Sequence, residues 1–427
     1  MKANDPAYIS SATHSGGAMI EMEEALRRLD ESLAGNLLPS ESSPVREARG
    51  RILAEEAVSQ VELPPFDKSA MDGYALMAGD EREEYRLLET VAAGHAGSCA
   101  LEPGAAVKVM TGAPVPSGTG RVMMVEHAEE RDGVVIVNKR STAPNICRRA
   151  EDMQRGQQVL PAGARLGALE IANLVACGIT EISVRQRPRL AIVSTGDELA
   201  NDPAELADGK IMNANGPLLS GLAVEHGLVV VSEETVPDEP SATREAVKNA
   251  LANSDIVTFS GGVSVGDFDY VLGALAEADV KVHFSRIAVK PGKPTVFASA
   301  GAQAIFGLPG NPVSAFMMFH LFVLRTVARL TGAVPIGPPL ADASPTGGLS
   351  RLMAPLAVAF ERRRIERREF VPAAVNERGE LAPVKYHGSA NLTALHEADG
   401  FFAIERGVKR LAAGERVVLW PMIKHGA

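Results

Sequence analysis

Four short segments of this 427-residue chain gather glycine, carboxylate, hydroxyl and ammonium groups at spacings that suit an anionic ligand. Ser194-Thr195-Gly196-Asp197-Glu198 sets hydroxyls and two carboxylates directly behind an apolar run at 190–193. Ser260-Gly261-Gly262-Val263-Ser264-Val265-Gly266-Asp267-Phe268-Asp269 follows a second run at 256–259. Its glycines let backbone N–H groups approach an anion, and a helix that follows turns its positive end the same way. Gly307-Leu308-Pro309-Gly310-Asn311-Pro312 follows a third run at 304–306 and opens a long apolar helix. Lys290-Pro291-Gly292-Lys293-Pro294 places two lysines three residues apart on a proline-stiffened loop, so that both can converge on one oxyanion. Anion cradles, lysines and carboxylates together suit a phosphate ester with a divalent metal, the carboxylates holding the cation that bridges phosphate oxygens.

Each piece alone has a plainer reading. A Gly-Gly pair after a strand makes a tight turn. Thr195 or Asp197 can cap a helix, and the lysine loop can be merely solvated. The elements that carry the loops join them. Strands at 190–193, 228–231, 256–259 and 304–306 alternate with helices at 218–226, 242–252, 268–278 and 313–330. That order predicts a mostly parallel sheet in a three-layer α/β arrangement, whose ligands bind outside the C-terminal strand ends.

The rest of the chain has a different texture. Met22, Ala25, Leu26, Leu29 and Leu33 predict an amphipathic helix over 20–33. A polar loop is expected over 36–44, then a second element over 45–58. Short apolar runs at 105–110, 122–125 and 134–137 predict a β-rich insert over 61–137, with a hairpin turn at Arg131-Asp132-Gly133. A helix over 166–176 stops at Gly178. Strands return at 372–375 and 381–386, around the turn Asn376-Glu377-Arg378-Gly379. The expected fold is multidomain α/β plus β. It comprises a discontinuous N-terminal helical and linker domain (18–50 and 140–186), an inserted β-rich domain (51–139), the α/β domain (187–332) and a small β-barrel-like C-terminal domain (333–427).

Two loops of the insert are dense in polar groups. Pro64-Pro65-Phe66-Asp67-Lys68-Ser69-Ala70-Met71-Asp72-Gly73 is either a reactive loop or a Pro-Pro bend with Asp turn residues. In Val109-Met110-Thr111-Gly112-Ala113-Pro114, Thr111 can bond a substrate or a backbone group. The run at 361–368, with five arginines, reads as an anion-binding rim or a solvated strand edge.

Composition bounds the function. Hydrophobic residues make up 46% and charged residues 22%, as in a globular protein. A net charge of −10 argues against non-specific binding to nucleic acid or a membrane surface. Cys99, Cys147 and Cys177 form no C-x-x-C pair, and reduced thiols in the cytoplasm are expected. Residues 1–19 carry no apolar signal-peptide core. The segment 313–330 contains His320, Arg325 and Arg329 and is expected as a core helix, not a membrane span. His95, His127 and the other histidines have no metal-like spacing.

Taken in order, P-P-F-D-K-S-A-M-D-G-Y-A, V-M-T-G-A-P-V-P, S-T-G-D-E-L, S-G-G-V-S-V-G-D-F-D-Y, K-P-G-K-P and G-L-P-G-N-P-V-S resemble the motifs of the molybdopterin molybdenumtransferases, the molybdenum insertases related to the C-terminal domain of gephyrin. The resemblance spans about 22–418. It implies an elongated homodimer of four-domain subunits, acting in the same pathway as a molybdopterin adenylyltransferase. It further implies that adenylylated molybdopterin and molybdate are the substrates, that AMP is released with Mg2+ as cofactor, and that the cleft is shared between subunits. By the same resemblance Asp67, Thr111, Glu198, Asp238 and Asp269 are the catalytic set, with Asp238 and Asp269 also serving magnesium. Gly261, Gly262, Ser264, Lys290, Lys293, Pro309, Gly310, Asn311, Arg367 and Ser389 are the binding set. Three places depart from the family pattern: Asn213 stands for a carboxylate, Ala150 for a glycine, and Glu366 and Pro372 for a glycine and an arginine. A diverged binding or scaffold protein that turns over poorly is the alternative, and a nucleotidyltransferase acting on the pterin a third. Intact Asp67, Glu198, Asp269, Lys290 and Lys293 favour the active insertase.

Overall fold

The computed structural model describes residues 18–140, 142–262, 270–334 and 352–422. Its central sheet runs in the order Val229–Val236, Arg189–Thr195, Ile256–Ser260, Gln303–Leu308, Val296–Ala300, Lys281–Phe284. The first four strands are parallel, and the last two are antiparallel to their neighbours. Central strands of such a sheet are covered on both faces, which explains their unbroken apolar runs. Leu190, Ile192, Phe306 and Leu308 share a core with Asn215–Glu225 and the long helix. Their alternates Ala191, Val193, Phe259 and Ile305 pack with Pro240–Asn253 and Tyr270–Glu277 on the other face. The sheet is thus three-layered. Lys281–Phe284 and Val296–Ala300 are strands beyond those expected from sequence, and the second forms a hairpin with Gln303–Leu308.

The helix Pro312–Thr331 is long and apolar enough to cross a membrane, yet 72% of its most apolar window is buried inside the protein. It is a core helix, widened by a π-helical turn at Phe319–Val323 and ended by Gly332 at φ 67°.

Among the described residues the first helix is Met22–Ser32. Ser40–Pro44, expected within a polar loop, is a strand paired with Glu181–Arg185. Its three serines, glutamate and proline conceal it, because no apolar alternation marks it and its pairing rests on backbone hydrogen bonds together with one from Ser42 Oγ to Glu181. The stretch 45–58 is no single element: a 3₁₀ turn at Val45–Glu47 precedes the strand Ala57–Val58. The insert holds a six-stranded sheet that includes the hairpin Ala128–Arg131 to Val134–Val137. Asp132 and Gly133 both have positive φ, as that tight turn requires. In the C-terminal region, Arg368–Val375, Gly400–Ile404, Arg416–Pro421 and Leu352–Pro355 lie side by side, and Val289–Lys290 joins the other edge of Arg368–Val375. The strand expected over 381–386 is only Leu381–Pro383.

Candidate active site

Sheet register brings three of the four segments together. Ser194 pairs with Ser260, and Ser260 with Leu308, so the loops behind them leave one edge side by side. Gly261 and Gly262 have φ of +90° and +58°. A Cβ on Gly261 would sit 2.3 Å from the Thr195 carbonyl oxygen, and one on Gly262 2.5 Å from Thr195 Oγ1. Only glycine lets these loops close on each other. Asn215 clamps them: its Nδ2 donates to Ser260 Oγ at 2.5 Å and to the Gly310 carbonyl at 2.7 Å. Asn215, two residues after Asn213, is not among the site residues expected from sequence. Its signal is its place opening the helix behind the first strand-end loop. Ser194 Oγ, Thr195 Oγ1 and Asn215 Oδ1 are buried without a hydrogen-bond partner. Such atoms are uncommon, and here they cluster beneath the cradle. Pro309 is buried and Gly310 exposed beside them.

Carboxylates crowd one end of this edge. The Glu198 carboxylate occupies the space where a Cβ on Gly196 would be. The Asp238 N–H donates to Asp197 Oδ1 at 3.1 Å. Burial, and then the charges of Asp197 and Glu198, raise the Asp238 carboxyl above its ordinary value. Among the described residues, however, no group of three or more His, Cys, Asp or Glu side chains is placed to hold a metal ion. Asp269 and Ser264 lie outside the described residues, so Asp238 is the only assigned magnesium ligand whose place is known. The departure at Asn213 is accommodated locally. Its Nδ2 donates to Thr235 Oγ1 and its Oδ1 accepts the Gly216 N–H at the helix start.

The lysine loop enters at the same edge, because Val296 pairs antiparallel with Gly307. Gly292, at φ +112°, packs against Met318 of the long helix. Lys290 Nζ bonds Glu369 Oε1 at 2.6 Å, while Lys293 is exposed and has no partner among the described residues. Arg367 Nη1 donates to the Val289 carbonyl at 3.1 Å. Asn311 Nδ2 donates to Ser389 Oγ, and the Val313 N–H to the Ser389 carbonyl, both at 3.0 Å. Lys290 and Arg367 thereby flank the pairing of Val289–Lys290 with Arg368–Val375, and Asn311 and Ser389 pair at the start of the long helix. Glu369 was missed from sequence because its relevance depends on a strand pairing across 79 residues. Arg362 of the arginine run is buried, whereas Arg363 and Arg364 are exposed.

Asp67 and Thr111 form a second cluster in the insert. Asp67 accepts from Arg148 Nη1 at 2.7 Å and from the Arg149 N–H at 2.8 Å. The Arg149 N–H and then Arg148 hold its carboxyl below the ordinary range. Asp72 Oδ1 takes both the Thr111 hydroxyl, at 2.7 Å, and the Thr111 N–H, at 2.6 Å. Those bonds hold Asp72 low as well, the hydroxyl first. Asp72, Arg148 and Arg149, unlike Thr111, are not among the site residues expected from sequence. Among the described residues, no hydrogen bond or ion pair connects this cluster to the sheet edge of the same chain.

Residues 20–178 match the MoeA N-terminal region (domain I and II), 191–329 the probable molybdopterin binding domain, and 354–422 the MoeA C-terminal region (domain IV). The molybdopterin molybdenumtransferase of Staphylococcus aureus (strain Mu50) is 34% identical over 76% of this chain and 79% of its own. The chain belongs to the molybdopterin molybdenumtransferase family. A second family member, from Staphylococcus epidermidis, is 34% identical over 70% of this chain and 73% of its own. The molybdopterin biosynthesis MoeA protein of Pyrococcus horikoshii OT3 superposes with a TM-score of 0.80 at 30% identity, covering 94% of this chain and 100% of that one. A further structure of the Pyrococcus protein gives 0.76 at 28% identity, covering 95% and 99%. The fold is therefore a MoeA-type multidomain fold, and the process is molybdenum cofactor biosynthesis.

Proposed function

We propose that the protein binds adenylylated molybdopterin and molybdate, releases AMP, and leaves molybdenum on the pterin dithiolene. The observation that carries this reading is the sheet edge at which the loops bearing Gly261, Gly262 and Gly310 meet beside the buried, unbonded Ser194 and Thr195 hydroxyls, with the lysine loop entering from the adjacent strand. Glycine-freed N–H groups and a lysine charge suit phosphate and molybdate alike. Lys290, Lys293 and Arg367 supply positive charge, and Ser264, Ser389 and Asn311 supply polar contacts. Asp67, Thr111, Glu198, Asp238 and Asp269 act on the reacting groups. Magnesium is the proposed cofactor, with Asp238 and Asp269 as its protein ligands; when bound it neutralises phosphate charge.

The working unit is a homodimer in the cytoplasm, where Cys99, Cys147 and Cys177, all free, stay reduced. A molybdopterin adenylyltransferase supplies the substrate. The test is to give purified protein adenylylated molybdopterin, magnesium and molybdate, then follow AMP release and retained molybdenum. AMP release that requires magnesium and matches molybdenum retention is expected. Pterin binding without AMP release would instead make the protein a molybdopterin-holding scaffold.

A further inference from the structure

We propose that Glu369 is a positioning residue for Lys290, and that Arg362 is the fixed counter-charge holding Glu369 in place. The inference rests on the reading of Lys290 as an oxyanion ligand. Backbone pairing puts Lys290 directly opposite Glu369, and their side chains bond at 2.6 Å. Glu369 is 8% exposed and Arg362 5%. The Arg362 guanidinium cannot swing away, because its Nε donates to the Val408 carbonyl and its Nη1 to the Arg367 carbonyl, each at 2.7 Å. Its Nη2 is bound to the Glu405 carbonyl. From that position Nη1 lies 3.7 Å from Glu369 Oε2. The carboxylate therefore stands between an immobile buried cation and a half-exposed one.

Two consequences follow. A lysine ammonium has three N–H donors, and one bond to Glu369 leaves two for a ligand. A free lysine stem loses rotamer freedom when it closes on an anion, whereas an anchored stem has lost it during folding. Two cations around one carboxylate also leave a net positive charge. The Tyr386 hydroxyl is buried nearby without a hydrogen bond, and its phenol is pushed up to about 12 by burial and then by the charge of Glu369. It stays neutral and does not cancel that charge.

The experiment is calorimetric titration of the full-length protein with molybdate, with melting temperatures as a check on folding. Lys290→Ala should weaken binding about tenfold. Glu369→Gln keeps the shape and removes the charge. Glu369→Asp keeps the charge beside Arg362 and withdraws it one methylene from Lys290, which covers the case in which the Gln variant does not fold. Each should weaken molybdate binding by about the Lys290→Ala factor, and Glu369→Gln should add nothing in a Lys290→Ala background. Unchanged or tighter binding in the Glu369 variants, or losses that add in the double variant, would overturn the role of Glu369 alone. Unaltered binding in Lys290→Ala, or no molybdate uptake by the wild type, would overturn the oxyanion reading and this inference with it.

Discussion

Lys290 and Lys293 lie three residues apart in one loop but sit in different surroundings. Lys290 is anchored to Glu369, while Lys293 is exposed with no partner among the described residues. An unanchored ammonium acts as a mobile point charge, strongest toward the smaller and more charge-dense ligand. Lys293→Ala should therefore weaken molybdate binding about tenfold and leave pterin affinity within about twofold. Separate binding isotherms for the two ligands check this. Equal losses for both would mean that Lys293 touches the pterin phosphate instead. The insert has its own residue-scale division of labour. Arg148 and Arg149 keep Asp67 ionised and oriented, and Asp72 takes up the Thr111 hydroxyl. On the proposed reading, in which Thr111 meets the substrate, Asp72 fixes its hydroxyl, so Asp72→Asn should reduce turnover nearly as far as Thr111→Val. A rate comparison at saturating substrate tests the pairing. An active Asp72→Asn enzyme would separate the two residues.

At the scale of elements, the strand-end loops depend on close backbone approach. Gly261→Ala would place a methyl 2.3 Å from the Thr195 carbonyl oxygen at a φ that alanine rarely adopts. Backbone strain alone costs on the order of 1–3 kcal/mol. The variant should melt several degrees lower and lose anion binding, whereas Gly221→Ala, which meets nothing within 4 Å, should do neither. Equal melting temperatures for the two variants would contradict the cradle geometry. The long helix carries a separate liability. His320 and His226 meet edge to face with ring centroids 5.7 Å apart, and burial pushes both down to about 4. Their folded forms exclude the proton, while unfolded imidazole accepts it below about 6.5. The stability they contribute is complete above that value and is lost as pH falls toward 4, by up to about 3 kcal/mol per histidine. Melting temperature should drop between pH 7 and pH 5, and His320→Phe should flatten that drop. An identical slope in the variant would remove His320 from the linkage.

Across the whole molecule, what could be read from the sequence depended on how local the signal was. Ile256–Ser260 followed by Gly261-Gly262 declares itself, because an apolar run and its loop adjoin in sequence. The turn at Asp132-Gly133 does so for the same reason. Ser40–Pro44 does not, since nothing in five polar or proline residues points to Glu181–Arg185. The partners of Glu369 and Asn215 are hidden for a related reason: each acts on a loop remote in sequence, 79 and 95 residues away respectively. The same argument bears on assembly. The Asp67–Thr111 cluster and the Lys290 edge are each held by their own contacts, and no hydrogen bond or ion pair among the described residues joins the two within one chain. A single cleft needing both would have to form between subunits. Asp67→Ala and Lys290→Ala proteins should each be nearly inactive alone. In a mixed homodimer one cleft carries both lesions and the other carries neither. After subunit exchange at equal concentrations, half the dimers are mixed and each holds one intact cleft, so about a quarter of wild-type activity should return. Exchange must be followed independently, for example by tagging one variant and isolating the mixed dimer. If isolated mixed dimers remain as inactive as the parents, Asp67 and Lys290 serve the same subunit's cleft, and the chain must bring them together by a domain movement.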